Sequence, residues 1–286
     1  MSLYVASLNS GSNGNCYYLG NEREAVLIDA GISCREIEKR LKRLDLAIDN
    51  IKAVFISHEH GDHIHGVSAL SKKYKLPVYI TEATYRAGNL QLDANLLCKF
   101  KTSDSIEIGA LRVTAFPKRH DAIDPCSFVI SHQSVSVGVF TDIGDNCDQV
   151  RTYFKQCHAV FLEANYDEEM LEKGSYPLAL KKRIRNGYGH LSNRQAVRLL
   201  EAHSGPFLSH LFLSHLSRNN NSPEKALQTF MSASLAANIH IAVAPRDRET
   251  AVYLIDGSKG MGVNHLSGAR VKSDSVQLNL FNRLPD

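Results

Sequence analysis

Short apolar runs recur along the chain, most of them closed by small or polar residues. Leu3 to Leu8, Cys16 to Leu19 and Ala25 to Asp29 read as strands, with the hairpin signal Asn13-Gly14 between the first two. The period then changes. In SCREIEKRLKRL the residues Ile37, Leu41 and Leu44 recur at helical spacing, and Ser33 with Glu36 predicts a capping box. AVFIS (53–57) reads as a buried strand, followed by a helix to about Tyr74 and the strand PVYI. The middle is mostly β: IEIG, LRVTAFP, SFVISH and SVSVGVF predict a meander ending at Thr141-Asp142. Helix and strand then alternate again. A helix near 146–155 precedes the strand AVFLEA, further helices lead to the strand LFLSH, and a helix from Ser222-Pro223 leads to the strand IAVA.

Two β-rich halves flanked by helices predict two packed sheets with helices outside, an α/β fold. No internal repeat or linker interrupts the pattern. From about residue 257 the chain becomes polar and rich in Gly and Ser, so residues 1–256 read as one domain and 257–286 as a tail.

Composition changes this picture little. The chain has 286 residues, enough for a real core, with 43% hydrophobic and 22% charged positions. A net charge of +3 does not announce a polyanion partner, so any such argument rests on where the basic residues sit. The six cysteines are scattered with no CxxC pair, which argues against a disulfide framework and a thiolate zinc site and for a reducing cytoplasm. The start lacks the pattern of a signal peptide, and no apolar run is long enough to cross a bilayer. The expectation is a cytoplasmic protein without membrane contact.

Chemistry concentrates in HEHGDHIHG, residues 58–66. Unpaired, such a cluster is costly to bury, and on a surface it has no purpose. His58, His60, Asp62 and His63 follow a strand directly, and imidazole and carboxylate ligands suit Zn²⁺ or Mn²⁺. Two ions need more ligands than this loop holds. His120, Asp142 and His215 each follow an apolar β run and are the candidates. Glu59 and His65 read as supporting or solvent-facing residues. Zincin chemistry of the HExxH type is excluded, because Asp62 stands four residues after His58.

This arrangement resembles the metallo-β-lactamase superfamily, over nearly the whole chain to about residue 256. The resemblance implies a four-layer αββα sandwich with two divalent metal ions at one sheet edge. It assigns His58, His60 and His120 to one ion and Asp62, His63 and His215 to the other, with Asp142 bridging and Asp29 supporting the ligand loop. No β-CASP insertion is expected, since only 73 positions separate Asp142 from His215. Flavodiiron members replace the second histidine by glutamate, and classical β-lactamases lack the bridging aspartate. His60 and Asp142 therefore point to the hydrolases. In the phosphodiesterase branch a non-ligand histidine lies in a motif resembling YGHLSNRQ, which implies that His190 assists the leaving group and that Glu163 orients it.

GSNGNCYYL, LIDAGIS, SHEHGDHIHG, PKRHDAIDP, GYGHLSN and LSHLSRNNNSPE together resemble the YycJ/WalJ family of nucleases. That implies a DNA 5′-exonuclease, in which a metal-bound hydroxide held by both ions and Asp142 attacks phosphorus. The resemblance favours DNA over RNA as the substrate. Ser12 and Asn13 in a polar loop, Arg183 and Arg185 before His190, and Arg218 and Asn219 after His215 are placed to hold phosphates. The tail segment QLNLF resembles the peptide by which bacterial repair proteins bind the β sliding clamp, with Gln277, Leu278, Leu280 and Phe281 as anchors. The competing readings are a small-molecule hydrolase of the same fold (cyclic-phosphate diesterase, thioesterase or lactonase) and a non-catalytic binding protein.

Overall fold

A computed structural model describes residues 2–233 and 239–257. The tail, with Gln277, Leu278, Leu280 and Phe281, lies outside the described residues. One seven-stranded sheet contains β1 (Leu3–Asn9), β2 (Cys16–Gly20), β3 (Ala25–Ile28), β4 (Ile51–Phe55), β5 (Val78–Thr81), β6 (Leu97–Phe100) and β14 (Tyr253–Ile255), in the order β14-β1-β2-β3-β4-β5-β6. The other contains β7 (Ser105–Ile108), β8 (Leu111–Pro117), β9 (Cys126–His132), β10 (Val135–Phe140), β11 (Ala159–Glu163), β12 (His210–Ser214) and β13 (His240–Val243), in the order β13-β12-β11-β10-β9-β8-β7. Each sheet is antiparallel where strands follow one another through turns. Each becomes parallel where helices make the crossovers, in β3 to β6 and in β10 to β13.

Strand periodicity explains the layers. In β3 and β4, Val26, Ile28, Ala53 and Phe55 face the other sheet, while Leu27 and Val54 pack with Ile37 and Leu41 of α1 (Cys34–Arg43) and with Val67 and Leu70 of α3 (Val67–Tyr74). On the far side, Val160, Leu162, Leu211 and Leu213 pack with Phe154 of α5 (Asp148–Phe154), Leu199 and Leu200 of α8 (Asn193–His203) and Phe230 of α9 (Pro223–Met231). These strands are buried on both faces, which is why they read as continuous apolar runs. The result is the expected αββα sandwich. The remaining helices are short: α2 (Gly61–Ile64), α4 (Glu82–Ala87), α6 (Glu168–Lys173) and α7 (Leu178–Arg185).

Three elements differ from the sequence reading. β6 and β14 are edge strands: β6 is half-exposed, and β14 is a short apolar stretch of three residues. α4 is six residues long, too short for periodicity to register. The box at Ser33 is half-formed: its hydroxyl accepts from the Glu36 N–H, but the Glu36 carboxylate turns to Lys39 and Arg40 instead.

Candidate metal centre

Parallel strands of both sheets end at one edge of the sandwich, and the titratable cluster sits there. Asp29 follows β3, residues 57–63 follow β4, Asp142 follows β10, Glu163 ends β11 and His215 follows β12. Asp29, Asp142 and His215 all take left-handed backbone angles, with φ of 60°, 54° and 56°. Side-chain-bearing residues seldom adopt that conformation, and its cost is tolerated where a site needs the turn. The 60–63 turn is clasped from outside. Asn15 donates its N–H to the Asp62 carbonyl at 2.7 Å, and a Cβ at Gly31 would lie 1.7 Å from that same oxygen. Only glycine allows so close an approach.

Each histidine is oriented by what its other ring nitrogen meets. His58 Nδ1 lies 2.9 Å from Ser57 Oγ, and His120 Nδ1 donates to the Gly189 carbonyl at 3.0 Å. Their Nε2 atoms converge on His60 Nδ1, at 3.1 and 3.4 Å. His63 Nδ1 donates to Asp29 at 2.7 Å, and Asp29 also accepts the Ser57 N–H and hydroxyl, each at 2.8 Å. That leaves His63 Nε2 3.1 Å from Asp142 Oδ2. His215 Nδ1 donates to Glu163 at 3.0 Å, and its Nε2 lies 3.7 Å from Asp62 Oδ2. His58, His60 and His120 thus form one convergent set, and Asp62, His63 and His215 another. Asp142 joins a third set with His58 and His63, between the two.

The donor set fits divalent cations. Within each set the donor atoms, all imidazole nitrogens in one and mixed with carboxylate oxygens in the others, lie within 4.8 Å of one another. Asp142 Oδ2 and His215 Nε2 are buried without a hydrogen-bond partner, although both point into the cluster. A buried polar atom left unpaired is costly unless something binds it, and a cation supplies what these two lack.

The electrostatics agree. Burial opposes charge on His63, but Asp142, Asp29 and Asp62 outweigh it and hold its pKa well above the usual range. His215 behaves alike: against its burial, Asp142, Asp62 and Glu163 raise it to about 10. The imidazolium charges in turn overcome burial at Asp62 and Glu163, lowering each to about 2. His58 and His120 go the other way, chiefly through burial, His120 to about 4. Without a cation, His58 and His120 are neutral, while His63 and His215 are protonated among carboxylates.

His190 falls in a fourth convergent set, with Asp142, Glu163 and His215. Its Nδ1 donates to Glu163 Oε1 at 2.8 Å, the same oxygen that takes the proton of His215 Nδ1. The other Glu163 oxygen accepts the N–H groups of Ile143 at 2.8 Å and Leu191 at 3.1 Å. Four donors therefore fix one fully buried carboxylate. Ser192 and Gln195 form a complete capping box on α8, which holds the 190–192 turn in place.

Among the candidate phosphate contacts, Ser12, Asn13, Arg218 and Asn219 are exposed on the loops that follow β1 and β12. Arg183 and Arg185, on α7, are already paired with Asp121 and Glu172. Glu59 accepts the Ile123 N–H at 2.9 Å and so ties the loop after His120 to the ligand turn.

The sequence reading missed four contributors. Ser57 links Asp29, His58 and His63. Asn15 lies 3.0 Å from His63 Nε2, and Asn165 Nδ2 donates to the His215 carbonyl at 2.8 Å. Lys118, buried, donates to the Thr141 carbonyl at 2.8 Å, next to Asp142. Ser57 and Lys118 adjoin ligand motifs and could have been suspected. Asn15 lies within GSNGNCYYL, but nothing in residue type marks it or Asn165 as a contact of the cluster.

Fold and site together define a metallo-hydrolase of the β-lactamase type. Residues 24–215 match the Beta-lactamase superfamily domain. The chain is 34% identical over 231 residues to Exodeoxyribonuclease YycJ of Bacillus anthracis, covering 79% of this chain and 87% of the relative. It is 32% identical over 241 residues to Exodeoxyribonuclease WalJ of Streptococcus pneumoniae, covering 82% and 90%. The crystal structure of the metallo-β-lactamase fold protein YhfI from Bacillus subtilis superposes with a TM-score of 0.69 at 15% identity, over 87% of this chain and 99% of that one, and shows the same fold. The chain belongs to the metallo-β-lactamase superfamily and, within it, to the YycJ/WalJ family.

Proposed function

We propose that this protein is a metal-dependent exodeoxyribonuclease with a dinuclear centre, the substrate class following the printed names of its relatives. The observation that carries the phosphodiesterase reading is the Glu163 carboxylate, shared between the ligand candidate His215 and the non-ligand His190. His58, His60 and His120 would hold one ion and Asp62, His63 and His215 the other, with Asp142 between them. Zn²⁺ suits the imidazoles, and Mn²⁺ suits the carboxylates. Divalent ions bound there would supply the attacking oxygen at neutral pH and neutralise charge on the phosphoryl group.

The remaining work falls to the protein. Asp29, Ser57 and Glu163 fix the tautomers of His63, His58 and His215 so that a lone pair faces inward. Asp62 and Asp142 bring negative charge that balances the cations. His190 is partly exposed and held through Nδ1 by Glu163, which leaves Nε2 to protonate the departing oxygen. Ser12, Asn13, Arg218 and Asn219 lie along the strand's path and hold its phosphates, with Arg183 and Arg185 further out.

The test is release of label from 5′- and 3′-labelled duplex DNA by Zn²⁺- and Mn²⁺-reconstituted protein, beside Asp142→Ala. Early release from the 5′ end, absent in the variant, is the expected result. Intact DNA with both metals, together with turnover of a thioester or lactone, would transfer the centre to a small-molecule hydrolase. We further propose that Gln277, Leu278, Leu280 and Phe281 anchor the tail to a sliding clamp. Equal clamp binding by peptides with and without Leu280 and Phe281 would end that idea.

A further inference from the structure

Arg246 follows β13 and took no part in the sequence reading of the site. It is half-buried against the 10–15 loop. Its Nη1 donates to the Leu216 carbonyl at 2.7 Å and to Ser12 Oγ at 3.4 Å. Its own carbonyl accepts from Asn13 Nδ2 at 2.6 Å. Gly11 makes room for it: a Cβ there would lie 2.8 Å from Nη1. The guanidinium is therefore held from three directions and is not a wandering surface side chain.

Its charge is unbalanced. Arg40, Arg43, Arg183 and Arg185 each meet a carboxylate, whereas Arg246 and Arg218 meet none among the described residues. The bond to the Leu216 carbonyl, two residues before Arg218 in the chain, brings the two charges into one neighbourhood. Burial and then the Arg218 charge hold Arg246 below the ordinary guanidinium range, with Tyr176, Asp247 and Asp62 acting in the opposite sense. Nε and Nη2 of Arg246 make no hydrogen bond among the described residues, which leaves one edge of the fork unused. Tyr176 is fixed nearby, its hydroxyl accepting from Asn219 Nδ2 at 3.1 Å. Two guanidinium groups brought together without a carboxylate, one with an unused edge, form a receptor for a doubly coordinated oxyanion. The 10–15 loop against which Arg246 packs also holds Asp62, whose carbonyl accepts the Asn15 N–H at 2.7 Å, so the anion would lie beside the metal centre.

We propose that Arg246 and Arg218, with the hydroxyls of Ser12 and Tyr176, form a subsite for a non-scissile phosphate of the substrate strand on the Asp62 side of the centre. This rests on the nuclease reading above. The phosphate is either the strand's 5′-terminal group or an internal diester. Both present the same oxygens, and the substrate arms separate them.

The experiment uses the full chain reconstituted with Mn²⁺ and three substrates: a 5′-phosphorylated oligonucleotide, its 5′-hydroxyl twin, and bis(p-nitrophenyl) phosphate, which has a single phosphorus. Arg246→Gln removes the charge and, being two bonds shorter, also releases the Nη1 contacts to Leu216 and Ser12. Arg246→Lys keeps the charge and loses the fork. The expected result for Arg246→Gln is an oligonucleotide KM raised about tenfold with a smaller change in kcat, and a log–log salt dependence shallower by about one. The lysine variant recovers part of the loss. The penalty is at least about fivefold larger on oligonucleotide than on the single-phosphorus substrate, because only the former reaches the subsite. A wild-type preference for the 5′-phosphorylated strand, erased in Arg246→Gln, assigns the terminal phosphate; equal losses on both strands assign an internal one. Equal losses on all three substrates would mean that Arg246 only supports Leu216 and His215, and would overturn the subsite. A variant matching the wild type on cleaved oligonucleotides would overturn it as well. A wild type that hydrolyses the small substrate but leaves both oligonucleotides intact would instead overturn the nuclease reading beneath it.

Discussion

At the scale of single residues, Glu163 is the position on which most depends. One oxygen takes protons from two histidines and the other takes two backbone N–H groups. An amide cannot serve both pairs. If its oxygen stays with the N–H groups of Ile143 and Leu191, its NH₂ faces two Nδ1 atoms. The histidines must then carry their proton on Nε2, which is where His215 needs a lone pair. Glu163→Gln should weaken metal binding about 10- to 100-fold and lower activity at fixed metal, read by metal titration and by initial rates. Metal affinity equal to wild type would show that Glu163 does not set the tautomer. Histidines and aspartates in a tight motif announce themselves by type and spacing, whereas Asn15, Asn165 and Ser57 are ordinary polar residues that acquire a role only through what folds against them.

At the scale of elements, β-strands place chemistry at their ends. A strand buried on both faces has nowhere but its end to present a charged side chain, so apolar run followed by His or Asp is a readable signal, and it located His120, Asp142 and His215. Half-exposed or very short strands lack that contrast, which is why β6 and the three-residue β14 were not read. α8 has a second kind of legibility. Its capping box holds Ser192 two residues from His190, so local helix chemistry positions a reactive side chain. Ser192→Ala should cost about 0.5–2 kcal/mol of stability. It should also lower kcat more than it raises KM, because His190 loses its fixed approach. Chemical denaturation and steady-state kinetics on one preparation separate these effects. A stability loss with kcat unchanged would show that the 190–192 turn is held by Glu163 alone.

At the scale of the whole molecule, the metal centre links pH to folding. In metal-free protein His215 sits at about 10, above its unfolded value of 6.5, so its contribution is complete below pH 6.5 and is lost as pH rises through about 10. Asp62 and Glu163, both lowered to about 2, contribute above their unfolded values near 4 and lose it as pH falls through about 2. His210, at the far end of the sandwich, is depressed to about 4 by burial and by His240. The unfolded chain protonates it first, so stability declines from pH 6.5 towards 4. Melting temperature after chelator treatment should therefore fall on both sides of neutrality. With metal restored the alkaline limb should flatten, because bound cations replace the protons on His63 and His215. An alkaline limb unchanged by metal would contradict this.

The sequence alone determined the layers, the ligand types and the strand ends that carry them, because burial and side-chain period are local properties of the chain. It also pointed to Glu163 and His190, since a short motif before a capped helix can be read from neighbouring residues. Only the tertiary structure decided which ring nitrogen of each histidine faces inward and that one carboxylate serves two of them. It alone brought Arg246 beside Arg218 and the 10–15 loop. Those relations join segments far apart in the chain, and no local pattern encodes a contact whose partners meet only after the two sheets have packed.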